Sequence, residues 1–304
     1  MAPPAPPDPD PAAGHLRAQV VADLGGRVRH SWVIRQDGQQ LVLRAHADPL
    51  SLGAAALLDS INWEAAARRN AIAAGWPAAA PIGEPFELGE TWWTVEQWLD
   101  GDPAARTAAE LGGLLARWHG SRISHDQLSA RPGVAESVTV LADPGLDQWW
   151  ARCTDPGDRS WLERRYEQAL ALADRLDWAA SPRVLVHGDL TAWNLLWRGA
   201  RLTGLLDFEL ATVDRRMVEF VHTWRCRHDQ VVTAYHATSP LGAEEWPMLL
   251  VDWWATLLSL SAAAPRGGHQ PHRWELDGLR RTSPLADQLQ RAHLPAQLRS
   301  VPRR

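Results

Sequence analysis

The chain contains no lysine: all 31 residues in its Lys+Arg count are arginine. That absence excludes a Walker-A phosphate loop, a lysine Schiff base and pyridoxal-phosphate chemistry, each of which needs a primary amine. Cysteine is nearly as scarce. Cys153 and Cys226 are too few and too far apart for a disulfide framework or a zinc site, and a reducing cytoplasm is expected. A basic excess is missing too. Residues 1–100 hold 7 Arg against 12 Asp+Glu, residues 101–304 hold 24 against 24, and the formal charge is -5, so nothing suggests a nucleic-acid partner. No apolar run suits a membrane: the longest candidate, Met248 to Ala264, is short of the ~20 residues a span needs and contains Asp252. A buried helix is the better reading of it.

What is present describes a globular protein. With 304 residues, 45% hydrophobic and 22% charged, the chain can bury a sizeable core. Its aromatic content is 18 Trp against 3 Phe and 2 Tyr, so tryptophan must do most of the aromatic packing. The N-terminus lacks the basic and apolar regions of a signal peptide. Six prolines among its first eleven residues predict an extended, disordered tail over 1–14.

The pattern then divides. Residues 27–46 are expected to form a hairpin about Asp37-Gly38, 53–74 a helix, and 82–88 with 91–99 a second strand pair about Gly89-Glu90. From 104 onward long helices take over, at 104–119, 158–179, 214–237 and 244–264, interrupted by one β-rich island at 183–207. The expected fold is α+β and bilobed: a small sheet lobe with one helix at 15–100, and a larger, mostly helical lobe at 101–304. Clefts between such lobes commonly hold ligands.

The island carries the chemistry. It reads RVLVHGDLTAWNLLWRGARLTGLLDFELA, a strand ending in a polar loop, then two short strands about Gly199-Ala200. Hairpin pairing would bring Asn194 close to Asp207, with Asp189 a few residues upstream. An amide oxygen and a carboxylate are hard ligands, few in number, and suit Mg²⁺ sharing its shell with phosphate oxygens rather than zinc. Four residues separate Asp189 from Asn194, which matches the Asp-x-x-x-x-Asn spacing of kinase catalytic loops, and Asp207-Phe208 matches the following metal motif.

HGDLTAWN (187–194) followed by LLDFELA (205–211) resembles the signature of the aminoglycoside phosphotransferase and choline-kinase-like family of small-molecule kinases. The resemblance implies a protein-kinase-like fold, ATP or GTP as phosphoryl donor, Mg²⁺, and a small-molecule hydroxyl as acceptor. Asp189 would orient and deprotonate that hydroxyl, and Asn194 with Asp207 would hold the metal. Upstream, Gly25 and Gly26 are similar to the loop that covers the nucleotide. Arg44 stands where kinases place a lysine; its planar fork can still clamp phosphate oxygens. Glu64 resembles the helix glutamate that braces this clamp. The run from Thr94 to Gly101 resembles the hinge, in which backbone groups near Glu96 and Trp98 would meet a purine edge. His119 and His187 read as packing residues.

Two departures narrow the substrate. Gly188 occupies the slot where protein kinases carry the arginine of His-Arg-Asp, and Glu209 follows Asp207-Phe208 where they carry glycine, with no Ala-Pro-Glu signal after it. Control by activation-loop phosphorylation, and a protein substrate, are thereby disfavoured. The acceptor pocket is expected from Asp147, Trp149 and Trp150, with Glu209, Glu244 and Trp254 behind them. The acceptor stays open between an aminoglycoside, a macrolide-like antibiotic and a metabolite; membrane or obligate protein partners are not expected. Two other classes compete: a catalytically silent nucleotide-binding pseudokinase, and a metal-dependent hydrolase built on His187, Asp189 and Asp207.

Overall fold

A computed structural model describes residues 6–25, 30–46, 53–123, 128–143, 155–224, 228–266 and 273–299. The chain divides into two compact units. The first takes residues up to 105 together with 122–134 and 191–211; the second takes 106–121, 135–190 and 212 onward. This corrects the expected boundary at residue 101. Two later segments belong to the first unit by contact, because chain order does not decide which core a strand joins.

The first unit is built on a five-stranded antiparallel sheet: β1 (Gln19–Gly25), β2 (His30–Gln36), β3 (Gln39–His46), β4 (Pro81–Leu88) and β5 (Thr91–Gln97), in the order β1-β2-β3-β5-β4. The β2–β3 hairpin turns at Asp37-Gly38, as expected. Gln36 pairs with Gln39, and φ is +48° at Asp37 and +80° at Gly38, the twist a two-residue turn requires. Strand alternation sorts the sheet's side chains. Trp32, Ile34, Leu41, Leu43, Ala45, Trp93 and Val95 form one apolar cluster, leaving Arg44 and Glu96 at the alternate positions.

That cluster is closed by helix α1 (Asp10–His15), whose Ala12 and Ala13 are fully buried in it. The expected disordered tail over 1–14 is thus corrected for residues 10–14. Proline is tolerated in the first turn of a helix, and two alanines are small enough to seat a helix against a sheet. Helix α2 (Ala54–Ala73) matches the expected helix. Its buried positions Leu57, Ser60, Ile61, Trp63, Glu64, Ala67, Arg68 and Ala71 follow the helical period, so the buried stripe carries two charges one turn apart.

The strands of the expected island fall in two sheets. Strands β8 (Leu195–Arg198) and β9 (Arg201–Leu205) pair with each other and with β6 (Asp102–Pro103) in the first unit. Leu205 also donates to Pro77 O at 2.8 Å, tying the hairpin to the segment before β4. Gly101 allows this packing: a Cβ there would lie 2.4 Å from Thr203 Oγ1. Strand β7 (Arg183–Val186) belongs to the second unit, where it pairs with β10 (Thr212–Arg215).

Strand β10 corrects the single helix expected at 214–237. Residues 212–215 pair in register with 186–183; the helical period of buried residues starts only at Met217 and continues through Phe220, Val221 and Trp224. The helices there are α6 (Phe220–Trp224) and α7 (Asp229–Thr238). Helix α7 lies against α3 (Ala108–Gly120), closely enough that a Cβ on Gly112 would sit 2.6 Å from Val231 O. The apolar helix α8 (Glu245–Arg266) occupies the centre. It packs against α4 (Ser137–Leu141), α5 (Pro156–Ala173), α6, α9 (Arg273–Arg280) and α10 (Pro284–His293). The last described helix is α11 (Ala296–Arg299). Among the described residues no helix is long and apolar enough to cross a membrane.

Candidate active site

In the first unit two sequence-selected residues, Glu96 and Asp207, meet Arg44. Its Nε lies 3.3 Å from Glu96 Oε1, and its Nη1 lies 3.4 Å from Asp207 Oδ1, a partner 163 residues along the chain. Glu96 also accepts from Arg68 at 2.6 Å; Arg68 reaches Glu64 at 3.4 Å, and Glu64 accepts from Arg131 at 2.5 Å. Glu96, Arg68, Glu64 and Arg131 are buried, while Arg44 and Asp207 are half-buried. Burial pushes the Glu96 carboxyl up, but the charges of Arg44 and Arg68 outweigh it and hold its pKa below the usual glutamate value.

Glu96 therefore plays a part the sequence did not indicate. A backbone role beside a purine was expected, but β5 lies inside the sheet, with Glu96 opposite Val42 on one side and Pro81 on the other. It is the Glu96 side chain that meets Arg44. The free end of the strand begins after Gln97. Trp98 is half-buried there, its Nε1 donating to Asp100 Oδ1 at 3.3 Å, and it lines an open cleft of about 790 Å³ with Gln97, Leu41 and Ile82. Gly25 ends β1 with φ +74°; Gly26 lies outside the described residues.

Asn194 and Asp207 are close, as expected. Leu206 N donates to Asn194 O at 2.9 Å, and β8 and β9 pair from Leu195–Leu205 onward, so the hairpin sets both residues at its open end. Asp207 has φ +60°, an unusual backbone for a residue with a side chain. The donors are an amide and a carboxylate. Both offer hard oxygen, in small number. That fits Mg²⁺ completed by phosphate and water.

In the second unit Asp189 follows a loop held from beneath by a residue the sequence did not single out. Glu219, fully buried, accepts from His187 N at 2.8 Å on one carboxylate oxygen and from Gly188 N at 2.9 Å on the other. His119 Nε2 sits 3.3 Å from the same carboxylate, and its Nδ1 is 2.8 Å from the Tyr235 hydroxyl. Burial pushes the Glu219 carboxyl up. Its hydrogen bonds with His119 and with the His187 amide overcome it and lower the pKa. His187 Nδ1 accepts from Asp189 N at 3.3 Å while its ring packs edge-on to Trp118. Both histidines thus hydrogen-bond and pack around this loop.

The expected acceptor pocket fares less well. Asp147, Trp149 and Trp150 lie outside the described residues. Trp254 is core: it is buried, with the Arg165 guanidinium 4.3 Å over its ring. Glu244 is exposed and Glu209 half-buried. Of the functional residues missed, Arg68 was legible from its four-residue spacing to Glu64. Glu219 and Arg131 sit in unremarkable sequence, and only tertiary contact reveals them.

Residues 20–238 match the model of the phosphotransferase enzyme family. Among solved structures, the chain is similar to a thermostable mutant of aminoglycoside phosphotransferase APH(4)-Ia in ternary complex with ADP and hygromycin B. Identity is 15% over 89% of this chain and 96% of that one, with a TM-score of 0.65. It is also similar to an aminoglycoside phosphotransferase from Alicyclobacillus acidocaldarius, at 17% identity over 98% and 94% of the two chains and a TM-score of 0.58. A third is the macrolide 2'-phosphotransferase MphH from Brachybacterium faecium, at 18% identity, 88% and 96% coverage, and a TM-score of 0.58.

Proposed function

The chain belongs to the phosphotransferase enzyme family, and from that premise we propose that it moves the γ-phosphoryl group of ATP or GTP to a hydroxyl of a small molecule. The observation that carries this reading is the Arg44–Asp207 pair. It joins the residue in the phosphate-clamping slot to the carboxylate of the metal motif, two positions that a phosphoryl-transfer site needs side by side.

The roles follow from chemistry. Arg44 presents a fixed fork of donors to phosphate oxygens, and Glu96 and Asp207 on either side fix the guanidinium plane. Asn194 and Asp207 would hold Mg²⁺, which when bound neutralises charge on the nucleotide phosphates. Asp189 would accept a hydrogen bond from the acceptor hydroxyl and take its proton as the oxygen attacks, while Glu219, through the amides of residues 187 and 188, keeps that loop in one conformation. Positioning and charge stabilisation carry most of catalysis in phosphoryl transfer. Backbone groups after Gln97 would receive the purine. The three relatives act, by name, on aminoglycosides and a macrolide. An antibiotic hydroxyl is accordingly the first acceptor to try, with other hydroxylated metabolites after it.

The test is nucleotide consumption in the presence of Mg²⁺ against a panel of aminoglycosides, macrolides and hydroxylated metabolites. Consumption that depends on one acceptor class, with a phosphorylated product by mass, supports the reading. Nucleotide-induced stabilisation without turnover on any acceptor moves it to a pseudokinase, and acceptor-independent phosphate release moves it to a hydrolase.

A further inference from the structure

Arg131 belongs to no motif and sits in the plain loop Ser129-Ala130-Arg131-Pro132-Gly133, yet it is among the most heavily engaged side chains of the first unit. It is buried, with 6% of its surface exposed. Its Nη1 donates to two backbone carbonyls, Phe208 O at 3.1 Å and Ala211 O at 2.6 Å. Its Nη2 donates to Glu64 Oε1 at 2.5 Å, and the Ser60 hydroxyl lies 3.4 Å from both Nε and Nη2. The Trp63 ring covers the guanidinium at 5.4 Å, and the same indole donates to Ser129 O at 2.8 Å, anchoring the loop that carries Arg131.

The two carbonyls are those of the segment that follows Asp207. Ala211 N bonds back to Phe208 O at 3.0 Å, so Arg131 closes a turn already tied once by its own backbone. Asp207 enters that turn at φ +60°, a left-handed conformation that costs an L-residue with a side chain and persists only where neighbours impose it. The ion-pair series ends on the same segment from the other side. Asp207–Arg44–Glu96–Arg68–Glu64–Arg131 alternates in sign, three cations with three anions, and both of its ends touch residues 207–211. Buried charges of this kind add little net stability over an apolar core, but each has one low-energy place, which suits them to fixing geometry.

We propose that Arg131 is a positioning residue for the metal-ligand turn: by gripping the carbonyls of Phe208 and Ala211 it holds Asp207 in its left-handed conformation with the carboxylate set for Mg²⁺. The proposal rests on the reading of Asp207 as a metal ligand. A merely structural arginine would support the fold without any link to the metal.

The experiment is calorimetry on the full chain with a non-hydrolysable ATP analogue, with Mg²⁺ and with EDTA. In the wild type Mg²⁺ should tighten analogue binding. In Arg131→Met, which keeps the bulk and removes the donors, the Mg²⁺-dependent gain should shrink about tenfold while metal-free affinity stays within about twofold, the scale for losing two hydrogen bonds that act through one carboxylate. The double variant Arg131→Met with Asp207→Asn should bind no more weakly than Asp207→Asn alone, because the two act through one contact. Should Arg131→Met not fold, Arg131→Lys, which keeps the charge but cannot span both carbonyls and Glu64, is read by the same criterion. Equal losses with and without Mg²⁺, or additive losses in the double variant, overturn the proposal while leaving the phosphotransferase reading intact. A wild type whose affinity ignores Mg²⁺ overturns both.

Discussion

The two units hold their functional residues by different means. In the first, side chains meet side chains: half-buried Arg44 and the buried Glu96, Arg68, Glu64 and Arg131 form a run of alternating charge ending on the Asp207 segment. In the second, a single carboxylate, Glu219, grips backbone amides, and the loop it grips delivers Asp189. The difference follows the task proposed for each. A group that must manage phosphates and a cation needs fixed charge of both signs. A residue that must meet a neutral hydroxyl needs only a fixed loop, and charge placed beside it would perturb its basicity.

The strongest way to break this comparison is to neutralise one carboxylate on each side. Asp207→Asn should cost most of the Mg²⁺-dependent nucleotide affinity and nearly all turnover, with partial rescue by excess metal. Asp189→Asn should leave nucleotide affinity within about twofold while turnover falls roughly 10²-fold or more, the usual scale for losing a positioned base. Calorimetry beside steady-state rates reads both. Equal losses of nucleotide affinity in the two variants would make Asp189 a metal ligand and erase the distinction between the units.

A smaller effect sharpens it. Glu219→Gln keeps one carbonyl oxygen but turns the other acceptor into a donor facing an amide. The backbone N–H of His187 or Gly188 then loses its partner in a buried place. Turnover should fall about tenfold with nucleotide affinity little changed, because the loop loosens and the first unit does not. Losing nucleotide affinity instead would mean that Glu219 serves more than its own loop.

How far the sequence could lead depended on whether a residue's role was local. The Asp37-Gly38 turn, the α2 period and the Asp189–Asn194–Asp207 spacing are short-range patterns, and all three were legible. Strand β1 was missed because it is an edge strand with little alternation; Val21 and Leu24 stay exposed, so no buried face marks it. Strand β10 was absorbed into the helix that follows, since its four residues take their conformation from pairing with β7. Arg131 was invisible for a stronger reason. Its partners lie 67 to 80 residues away, and no spacing rule spans such a loop.

Charge burial in the second unit makes a prediction about stability rather than rate. Asp252 on α8 is fully buried; its Oδ1 accepts from Ser137 Oγ at 2.6 Å. Burial pushes its pKa up to about 7 against the pull of Arg215 and Ser137, with Asp214 and Glu136 adding to the rise. The folded chain thus keeps this proton to about pH 7, while the unfolded chain releases it near pH 4. Its stabilising contribution is full below about pH 4 and declines as pH rises to about 7, then stays level. Asp252→Asn removes the titration. The melting temperature of the variant should therefore gain on the wild type between pH 4.5 and pH 7.5 and hold that gain above. Parallel curves across this range would show that Asp252 stays ionised in the fold.

The smallest effect on the site should come from the N-terminus, where the outer face of the sheet can be separated from the inner one. Helix α1 seals the cluster of Trp32, Ile34, Leu41, Leu43, Ala45, Trp93 and Val95, while Arg44 and Glu96 alternate to the other face. Deleting residues 1–15 removes the buried Ala12 and Ala13 and exposes part of that cluster to water, at a cost of roughly 1–2 kcal/mol by apolar area. For a chain of this size that lowers the melting temperature by about 1.5–3 °C. Mg²⁺-nucleotide affinity should stay within about twofold, since no side chain of the charged run is touched. Deleting only residues 1–7 spares Asp8, which accepts from Asp10 N at 3.0 Å in front of the helix, and should change neither quantity. If the longer deletion weakened nucleotide binding as much as it lowered stability, the two faces of the sheet would be coupled, and the Arg44 clamp would depend on a helix it never meets.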